Sequence, residues 1–331
     1  MHNIKANYII HSLNIERERH QIPRIESQYL DLVRKIRDFG TDSDDRTGVG
    51  TRKLFGETLK VDLNQGFPLL TTKKLPFRII AEELLWFVRG ERNIQPLVLK
   101  NVNIWNEWPL KNYLIENGKN ISPISQPEVW NSEMKSFIDK IKSNDEFAAK
   151  WGDLGPVYGY QWRHWQNPDA TETDQLANAV KTIKENPNSR RIIVTAWNPS
   201  DIEAMSISGL PPCHMEYQFQ VDRNKLNMTM RQRSVDSFLG LPFNIASYGL
   251  LLEIVANMTD KIPNELTLFL GDVHIYKNHL PMIEAQLSRV IRRQPKLIIN
   301  EKILGLEDLS IDKFQIVGYQ PAETISAPIA V

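Results

Sequence analysis

The strongest pattern along the chain is apolar residues spaced three and four apart. This spacing predicts helices over Ile25–Phe39, Phe77–Val88 and His279–Val290, and a longer, almost wholly apolar helix over Asn244–Asn257. The first helix is expected to end near Gly40, because glycine commonly follows the last helical residue.

Alternating apolar and polar residues predict strands elsewhere. Alternation on both sides of the polar tetrapeptide 222–225 predicts a hairpin, with apolar positions at Tyr217, Phe219, Val221, Leu226, Met228 and Met230. Further strands are predicted over Arg191–Trp197, Leu266–Tyr276 and Lys296–Ile299. Strands and helices are mixed without regular βαβ alternation. The expected fold class is therefore α+β, with a large mixed, mostly antiparallel sheet and packed helices.

The polar segments suggest how the chain is organised. Residues 1–24 are unpatterned and are interpreted as an N-terminal extension, and residues 25–331 as one domain. Thr41–Thr51 is dense in Asp, Gly and Thr, which predicts a loop. The stretch Leu110–Lys150 is rich in Asn, Ser, Lys and Pro, with one modest amphipathic part at Met134–Ile141. It is expected to be a surface insertion at about 110–150.

Composition and charge exclude several classes of protein. The chain has 40 Lys and Arg against 40 Asp and Glu, and this balance argues against a general nucleic-acid binder or a polybasic membrane binder. The sole cysteine, Cys213, excludes an intramolecular disulfide and a cysteine-rich zinc site, and it fits a reducing compartment. Met1–His20 lacks the apolar core of a signal peptide, and Asn244 and Glu253 interrupt the apolar stretch Leu241–Met258. We expect a cytoplasmic protein with no membrane partner and no metal.

Cys213 allows two interpretations. It follows Pro211 and Pro212, which restrict the backbone and place the thiol at the start of a strand. A lone cysteine is more often a buried, inert apolar residue than a nucleophile. A nucleophilic thiol needs nearby positive charge to become a thiolate at neutral pH. His214 is a poor base for it, because neighbours in a strand point to opposite faces.

Arginines are the candidates for that positive charge. They are Arg46 in the Asp- and Gly-rich loop, Arg190 and Arg191 before one strand, and Arg231 and Arg233 with Ser234 at the end of another. Each could be a solvated surface cation. However, Arg231 and Arg233 are expected to share a strand face, and forked donors beside a hydroxyl suit an anion such as phosphate.

Glu83 could transfer protons. It lies in a predicted helix beside apolar neighbours, whereas Glu82 is expected to pair with Arg78, one turn back, at the surface. A carboxyl group among apolar side chains has a raised pKa and can exchange protons near neutral pH. A solvated helix glutamate is the more common case, and both interpretations stay open.

Three further polar residues are candidates for recognition. Asn244 could cap the helix that it begins, or its amide could pair with N3–H and O4 of uracil, a pattern that cytosine does not present. His274 and Tyr276 lie two apart on a strand and share a face, either as satisfied core residues or as donors to a sugar hydroxyl. The residues by themselves indicate an enzyme with a candidate thiol nucleophile and an anion site.

A series of short motifs resembles the thymidylate synthase family, and the resemblance extends from about Ile25 to the last residue. The motifs are DRTG at 45–48, TTKK at 71–74, ELLWF at 83–87, DLGPVYG at 153–159, SRR at 189–191, PPCH at 211–214, QRSVD at 232–236, LGLPFNIASY at 239–248, GDVHIY at 271–276 and APIAV at 327–331. No single motif is decisive, but their occurrence together and in order is highly specific.

The resemblance implies a homodimer formed through the sheet. It also implies reductive methylation of deoxyuridylate (dUMP) to thymidylate (dTMP), with 5,10-methylenetetrahydrofolate as the one-carbon and hydride donor and dihydrofolate as product. The implied catalytic residues are Cys213, Glu83, Tyr158, Arg233 and Asp236. The implied dUMP contacts are Arg46, Gln232, Arg233, Ser234, Asp236, Asn244, His274 and Tyr276, with Arg190 and Arg191 reaching across from the partner subunit. The implied folate contacts are Lys73, Trp105, Trp108, Asp236 and the Ala330–Val331 tail, which would close over the site.

Besides the insertion at about 110–150, which leaves the site motifs intact, two departures from the family pattern and two alternatives remain. Residues 206–209 lengthen the loop before the Pro-Pro-Cys turn, and Val235 stands where a cysteine is frequent. One alternative is a dUMP hydroxymethylase on the same scaffold, in which water and not hydride traps the one-carbon unit. The other is a non-catalytic nucleotide-binding homologue, although a binder has no need of the thiol of Cys213.

Overall fold

The strands of the computed structural model form one large sheet and two small ones. The structure describes residues 24–45, 47–123, 125–208 and 211–329. The strands are β1 Thr41–Ser43, β2 Thr51–Asp62, β3 Trp165–Gln166, β4 Glu172–Thr173, β5 Ile193–Thr195, β6 His214–Asp222, β7 Lys225–Asp236, β8 Ile262–Tyr276, β9 Lys296–Ile299 and β10 Phe314–Val317. The six-stranded sheet has the order β1-β2-β8-β7-β6-β5, and β3 with β4 and β9 with β10 form two-stranded sheets. Within the large sheet β7 and β8 are parallel and the other neighbours antiparallel, which confirms the expected fold class.

Helices cover one face of the large sheet and surround it. They are α1 Ile25–Phe39, α2 Phe77–Val88, α3 Gln95–Leu99, α4 Glu107–Glu116, α5 Pro127–Ser143, α6 Asp145–Trp151, α7 Gly159–Arg163, α8 Gln175–Glu185, α9 Ile202–Ser208, α10 Gly240–Met258 and α11 Leu280–Leu287. The central helix α10 packs against β7 and β8, and α1 packs against β2. Among the described residues, α10 is the one helix long and apolar enough to cross a membrane, yet 83% of its apolar window is buried inside the fold, as in a core helix.

Most predicted elements are confirmed, with shifted ends. The hairpin of β6 and β7 and the helices α1 and α2 lie where the pattern put them. The predicted loop Thr41–Thr51 contains the short strand β1, and the helix expected to begin at His279 begins at Leu280. The apolar helix begins at Gly240, so the interpretation of Asn244 as its N-cap is wrong.

The segment at 110–150 is more regular than its composition suggested. It contains most of α4, all of α5 and most of α6. Trp130, Phe137 and Ile141 of α5 are buried. Their helical spacing begins before Met134, and the polar residues between them occupy the exposed side. The segment lengthened at 206–209 is also helical as far as Ser208, the last residue of α9.

The second face of the large sheet carries exposed apolar side chains. Phe269 and Ile193 are each 46% exposed. Phe269 pairs in register with Arg231, which places both on this face. This exposed sheet face consists of the outward residues of β2, β5, β6, β7 and β8.

Candidate active site

A cavity of about 990 Å³ lies where the end of β7 meets the start of β6, and the segment after β10 forms part of its wall. Many of the predicted site residues line it together: Glu83, Trp105, Trp108, Tyr158, Cys213, Gln232, Arg233, Ser234, Asp236, Asn244, His274 and Tyr276. These residues come from segments far apart in the sequence. The sheet and the helix packed on it bring them to one place.

The other predicted site residues lie elsewhere. Arg190 and Arg191 are exposed just before β5 and do not line the cavity. Arg46 and Ala330 lie outside the described residues. Arg231, expected to share a strand face with Arg233, lines a separate hollow on the exposed sheet face, so the two arginines do not form one anion site. A shift in pairing between β6 and β7 at His214 interrupts the regular alternation near the end of the strand.

Arg233 organises the loop that carries the thiol. Its Nε donates to the carbonyl of Pro212 at 2.9 Å, and its Nη2 donates to the carbonyl of Pro211 at 2.8 Å. The same Nη2 lies 3.9 Å from the sulfur of Cys213. Because proline leaves both carbonyls on a restricted backbone, the guanidinium is held beside the sulfur, where positive charge stabilises a thiolate. Cys213 is partly accessible in the cavity, so the interpretation as a sealed apolar residue is wrong.

Tyr158 also contacts the backbone of this loop. Its hydroxyl oxygen accepts a hydrogen bond from the backbone N–H of Cys213 at 2.9 Å. Tyr158 has φ +36°, a conformation that bulky residues rarely adopt. Gly159, which follows, packs so closely on α2 that an added Cβ would lie 2.1 Å from the carbonyl oxygen of Phe87. The tight contact between α7 and α2 thus positions Tyr158, a role that the sequence did not reveal.

Glu83 has the environment expected of a proton-transfer group. It is buried on α2, and burial raises the pKa of its carboxyl group to about 7. The indole N–H of Trp105 donates to it at 2.8 Å and opposes that rise. The prediction for Glu82 is wrong: it is buried and pairs with Lys100 at 2.6 Å, while Arg78 donates to the carbonyl of Lys100.

Two amide side chains meet on another side of the cavity. Gln232 Nε2 donates to Asn244 Oδ1 at 2.9 Å, and both residues are buried. His214 also lines the cavity, and burial lowers the pKa of its imidazole to about 4, so the ring is neutral at physiological pH. The Asn244 carbonyl oxygen can accept a second hydrogen bond, and its NH₂ group offers two donors. Gln232, which only the family resemblance predicts to be a site residue, orients the Asn244 amide.

His274 is fixed by a residue that sequence reasoning missed. Its Nδ1 lies 2.8 Å from Asp272 Oδ1, and this contact lowers the pKa of the Asp272 carboxyl group. Asp272 also pairs with Lys53 at 3.3 Å. Because Asp272 engages Nδ1, the Nε2 atom of His274 is the ring nitrogen left for a ligand. The spacing Asp-Val-His on a strand, which puts both side chains on one face, was the signal available in the sequence.

Lys73 is buried beside the cavity and is not among the residues that line it. Its ammonium group lies 3.6 Å from the centre of the Phe238 ring and donates to the Phe238 carbonyl. Burial lowers the pKa of Lys73 to about 8, and the charge of Asp236 opposes this. In this position Lys73 supports the segment between β7 and α10 from behind.

Comparison with known protein families agrees with the geometry. Among the described residues, no group of three or more His, Cys, Asp or Glu side chains is placed to hold a metal ion. The family profile described as Thymidylate synthase matches residues 27–331, which is nearly the whole chain. With this match, the chain belongs to the thymidylate synthase family of folate-using methyltransferases of nucleotide biosynthesis.

Proposed function

We propose that this protein converts dUMP to dTMP, with 5,10-methylenetetrahydrofolate as co-substrate and dihydrofolate as product. The observation that carries the proposal is the placement of the Cys213 sulfur 3.9 Å from Arg233 Nη2 in a cavity that also holds the Gln232–Asn244 amide pair. The folate co-substrate would supply both the carbon unit and the hydride. A uracil ring is a weak nucleophile at C5, and covalent addition at C6 is the chemistry that a thiolate can provide.

In the proposed reaction, different residues of the cavity would carry out different steps. Cys213 sulfur would add to C6 of uracil and push the electron pair of the C5–C6 double bond toward C5 and O4. The amide of Asn244, held by Gln232, would donate to O4 and accept from N3–H, which selects uracil over cytosine. C5 would then attack the methylene carbon of the folate, and loss of the C5 proton would expel the folate nitrogen, leaving an exocyclic methylene on the ring and tetrahydrofolate. Hydride transfer from tetrahydrofolate to that methylene would make the methyl group, expel the Cys213 sulfur as the C5–C6 double bond is restored, and leave dihydrofolate.

Glu83 is suited to the proton transfers in that sequence. A carboxyl group with a pKa of about 7 both gives and accepts protons at neutral pH, and it faces the same cavity as Cys213. Tyr158 would act beside it, because its hydroxyl contacts the backbone of Cys213. Asp236 and the rings of Trp105 and Trp108 would hold the pterin part of the folate.

The phosphate of dUMP requires more positive charge than Arg233 supplies beside Ser234. Arg233 uses Nε and Nη2 on the proline carbonyls, which leaves Nη1 and the hydroxyl of Ser234 for an anion. We propose that Arg46 and the partner subunit's Arg190 and Arg191 complete the site in a homodimer formed through the exposed sheet face. The exposed Phe269 and Ile193 support such a contact, since large exposed apolar patches mark interaction sites.

The identity of the reaction products tests the proposal. Purified protein given dUMP and methylenetetrahydrofolate should form dihydrofolate, which is followed as rising absorbance near 340 nm, together with dTMP. Tetrahydrofolate and a hydroxymethyl nucleotide would instead identify a dUMP hydroxymethylase. A protein that binds dUMP and forms neither product would be a non-catalytic homologue.

The thiol can be tested separately. Cys213→Ala and Cys213→Ser should bind dUMP but lose turnover by about a thousandfold or more, the scale on which removal of a nucleophile acts. A wild-type protein incubated with 5-fluoro-dUMP and the folate should gain a covalent adduct on Cys213, visible by mass spectrometry. An active Cys213→Ala enzyme would refute the covalent step.

A further inference from the structure

The segment after β10 forms a wall of the cavity, although its described residues, 318–329, contain no helix or strand. Ile325, Ser326, Ala327 and Ile329 line the cavity. Hydrogen bonds hold the segment after β10, which we call the C-terminal wall, to the rest of the fold at several points. Ala322 N–H donates to the Thr71 carbonyl at 2.7 Å, and Arg292 Nη1 donates to the Gln320 carbonyl at 3.0 Å. The last of these contacts along the chain is the one between Pro328 and His279.

His279 makes that contact from a fully buried position. Its Nε2 lies 2.8 Å from the carbonyl oxygen of Pro328, and its side chain is 0% exposed. A carbonyl oxygen can only accept, so Nε2 carries a hydrogen in both charge states of the ring. Nδ1 is then the atom that gains or loses the titrating proton.

The second ring nitrogen faces the cavity residue Asp236. Nδ1 is buried and has no hydrogen-bond partner among the described residues, and it lies 3.8 Å from Asp236 Oδ1. This distance is too long for a hydrogen bond and short enough for an ion pair. A protonated Nδ1 attracts the carboxylate, whereas a neutral Nδ1 directs its lone pair at it.

We propose that His279 is a positioning residue that anchors the C-terminal wall through Pro328 and couples it to Asp236. The inference rests on the proposed function, in which Asp236 contacts the folate. With His279 in place, a ligand that engages Asp236 meets a wall already held in position, so less ordering is required on binding. Loss of the anchor should therefore weaken the folate far more than dUMP.

The charge of His279 should matter as well, because of the groups that face it. They are Asp236 at the end of β7, Lys73 from the segment before α2, and Tyr276 at the end of β8, whose ring centre lies 5.5 Å away. Burial, the largest single influence, lowers the pKa of His279. Its contacts with Asp236 and with the Pro328 carbonyl outweigh burial and the charge of Lys73, and the net result is a raised pKa. As pH rises through that pKa, the ion pair with Asp236 is lost and the hydrogen bond to Pro328 remains.

Two variants separate the anchor from the charge. His279→Gln keeps an N–H donor that can reach the Pro328 carbonyl but does not titrate, and His279→Phe keeps a planar ring without a donor. In hydrogen–deuterium exchange of the full-length protein without substrates, the peptide that contains Pro328 should exchange faster in His279→Phe and nearly as in wild type in His279→Gln. The KM for folate should rise about tenfold in His279→Phe, the equivalent of one hydrogen bond, with the KM for dUMP within about twofold.

The remaining measurements make each outcome decisive. In wild type the KM for folate should rise as pH increases from 6 to 9, and in His279→Gln this rise should be clearly smaller. His164→Phe, at an exposed histidine that does not line the cavity, should leave the KM for folate unchanged. Unchanged exchange in His279→Phe would overturn the anchor. If His279→Phe does not fold, His279→Gln still tests the coupling. The coupling would be overturned if the KM for folate of His279→Gln rose with pH as much as that of the wild type. A wild-type protein that makes no dihydrofolate would refute the proposed function, while the exchange data would still test the anchor.

Discussion

At the scale of single residues, burial shifts three ionisable groups around the cavity in opposite directions. It raises the pKa of Glu83 to about 7 and lowers those of Lys73 to about 8 and His214 to about 4. In each case the charged form is the one that burial disfavours. The result places a carboxyl group that titrates near neutral pH in the same cavity as Cys213 and keeps His214 uncharged. His214 therefore supplies no positive charge to the sulfur, and Arg233 is the cation that lies beside it.

Replacing Glu83 should separate catalysis from stability. Glu83→Gln should lower kcat by about 10²- to 10⁴-fold, because a positioned acid–base group contributes on that scale. The change in kcat with pH near pH 7, which we attribute to titration of Glu83, should also disappear in this variant. The matched control is Glu82→Gln on the same helix, which breaks the pair with Lys100 but should keep kcat within about threefold, since Glu82 does not line the cavity. Equal losses in the two variants would rule out a catalytic role for Glu83.

The same substitution makes a prediction about stability. Glu83 has a higher pKa in the folded state than its ordinary 4.5, so the folded protein binds more protons between these values. Stability must then fall as pH rises from about 4.5 through 7. Above pH 7, Glu83→Gln should be more stable than wild type by up to about 3 kcal/mol, and this gain should vanish near pH 4. Urea unfolding at pH 4 and pH 8 measures the difference.

At the scale of elements, the site depends on contacts between the ends of secondary structures. The end of β7 supplies Arg233, which holds the loop before β6, and the contact of α7 with α2 holds Tyr158 below the same loop. Neither contact lies in the regular part of a helix or a strand. The chemistry is therefore sensitive to small shifts between elements whose own secondary structure is secure.

The contact of α7 with α2 can be tested at Gly159. Gly159→Ala places a Cβ 2.1 Å from the Phe87 carbonyl oxygen, so α7 must move away and carry Tyr158 with it. We expect a loss of about 3 kcal/mol or more in the free energy of unfolding, together with reduced kcat. Gly305→Ala is the control, because nothing lies within 4 Å of an added Cβ there and its backbone is extended. A Gly159→Ala protein as stable as this control would show that the contact is not tight.

At the scale of the whole molecule, the exposed sheet face remains the unexplained surface of the single chain. Phe269 and Ile193 are exposed on it, although a sheet face with apolar side chains is normally covered. A second copy of the chain would cover this face and bring arginines to the phosphate end of the neighbouring cavity. Assembly and activity would then depend on each other.

Mixing two inactive variants tests this dependence. Cys213→Ala and a double Arg190→Ala, Arg191→Ala variant should each have little activity. If the arginines act across the interface, equal mixing and refolding should restore about a quarter of wild-type activity, because half of the dimers would then hold one complete site. Phe269→Lys should shift the protein toward monomers in analytical ultracentrifugation, and Leu304→Lys, at an exposed apolar residue outside the sheet, should not. Absence of recovery in a mixture shown to contain mixed dimers would refute the shared site.

The sequence by itself determined many of the helices and strands and the side chains available for chemistry. Periodicity gave α1, α2 and the hairpin of β6 and β7, because these patterns depend on neighbours close along the chain. The lone thiol, the arginines and the uracil-matching amide of Asn244 could be named as candidates on chemical grounds. The motifs of the family joined these candidates into one site and added Gln232, Tyr158 and Asp236.

The tertiary structure decided which candidates meet. It put Arg233 beside Cys213 and sent Arg231 to the exposed sheet face, although the two arginines lie two residues apart on one strand. It likewise assigned Asp272 to His274 and His279 to Pro328. These pairings depend on strand register, an irregularity in β6 pairing and contacts across most of the chain. Local periodicity carries no information about such long-range geometry, and burial, which sets the pKa of Glu83, exists only once the chain has folded around it.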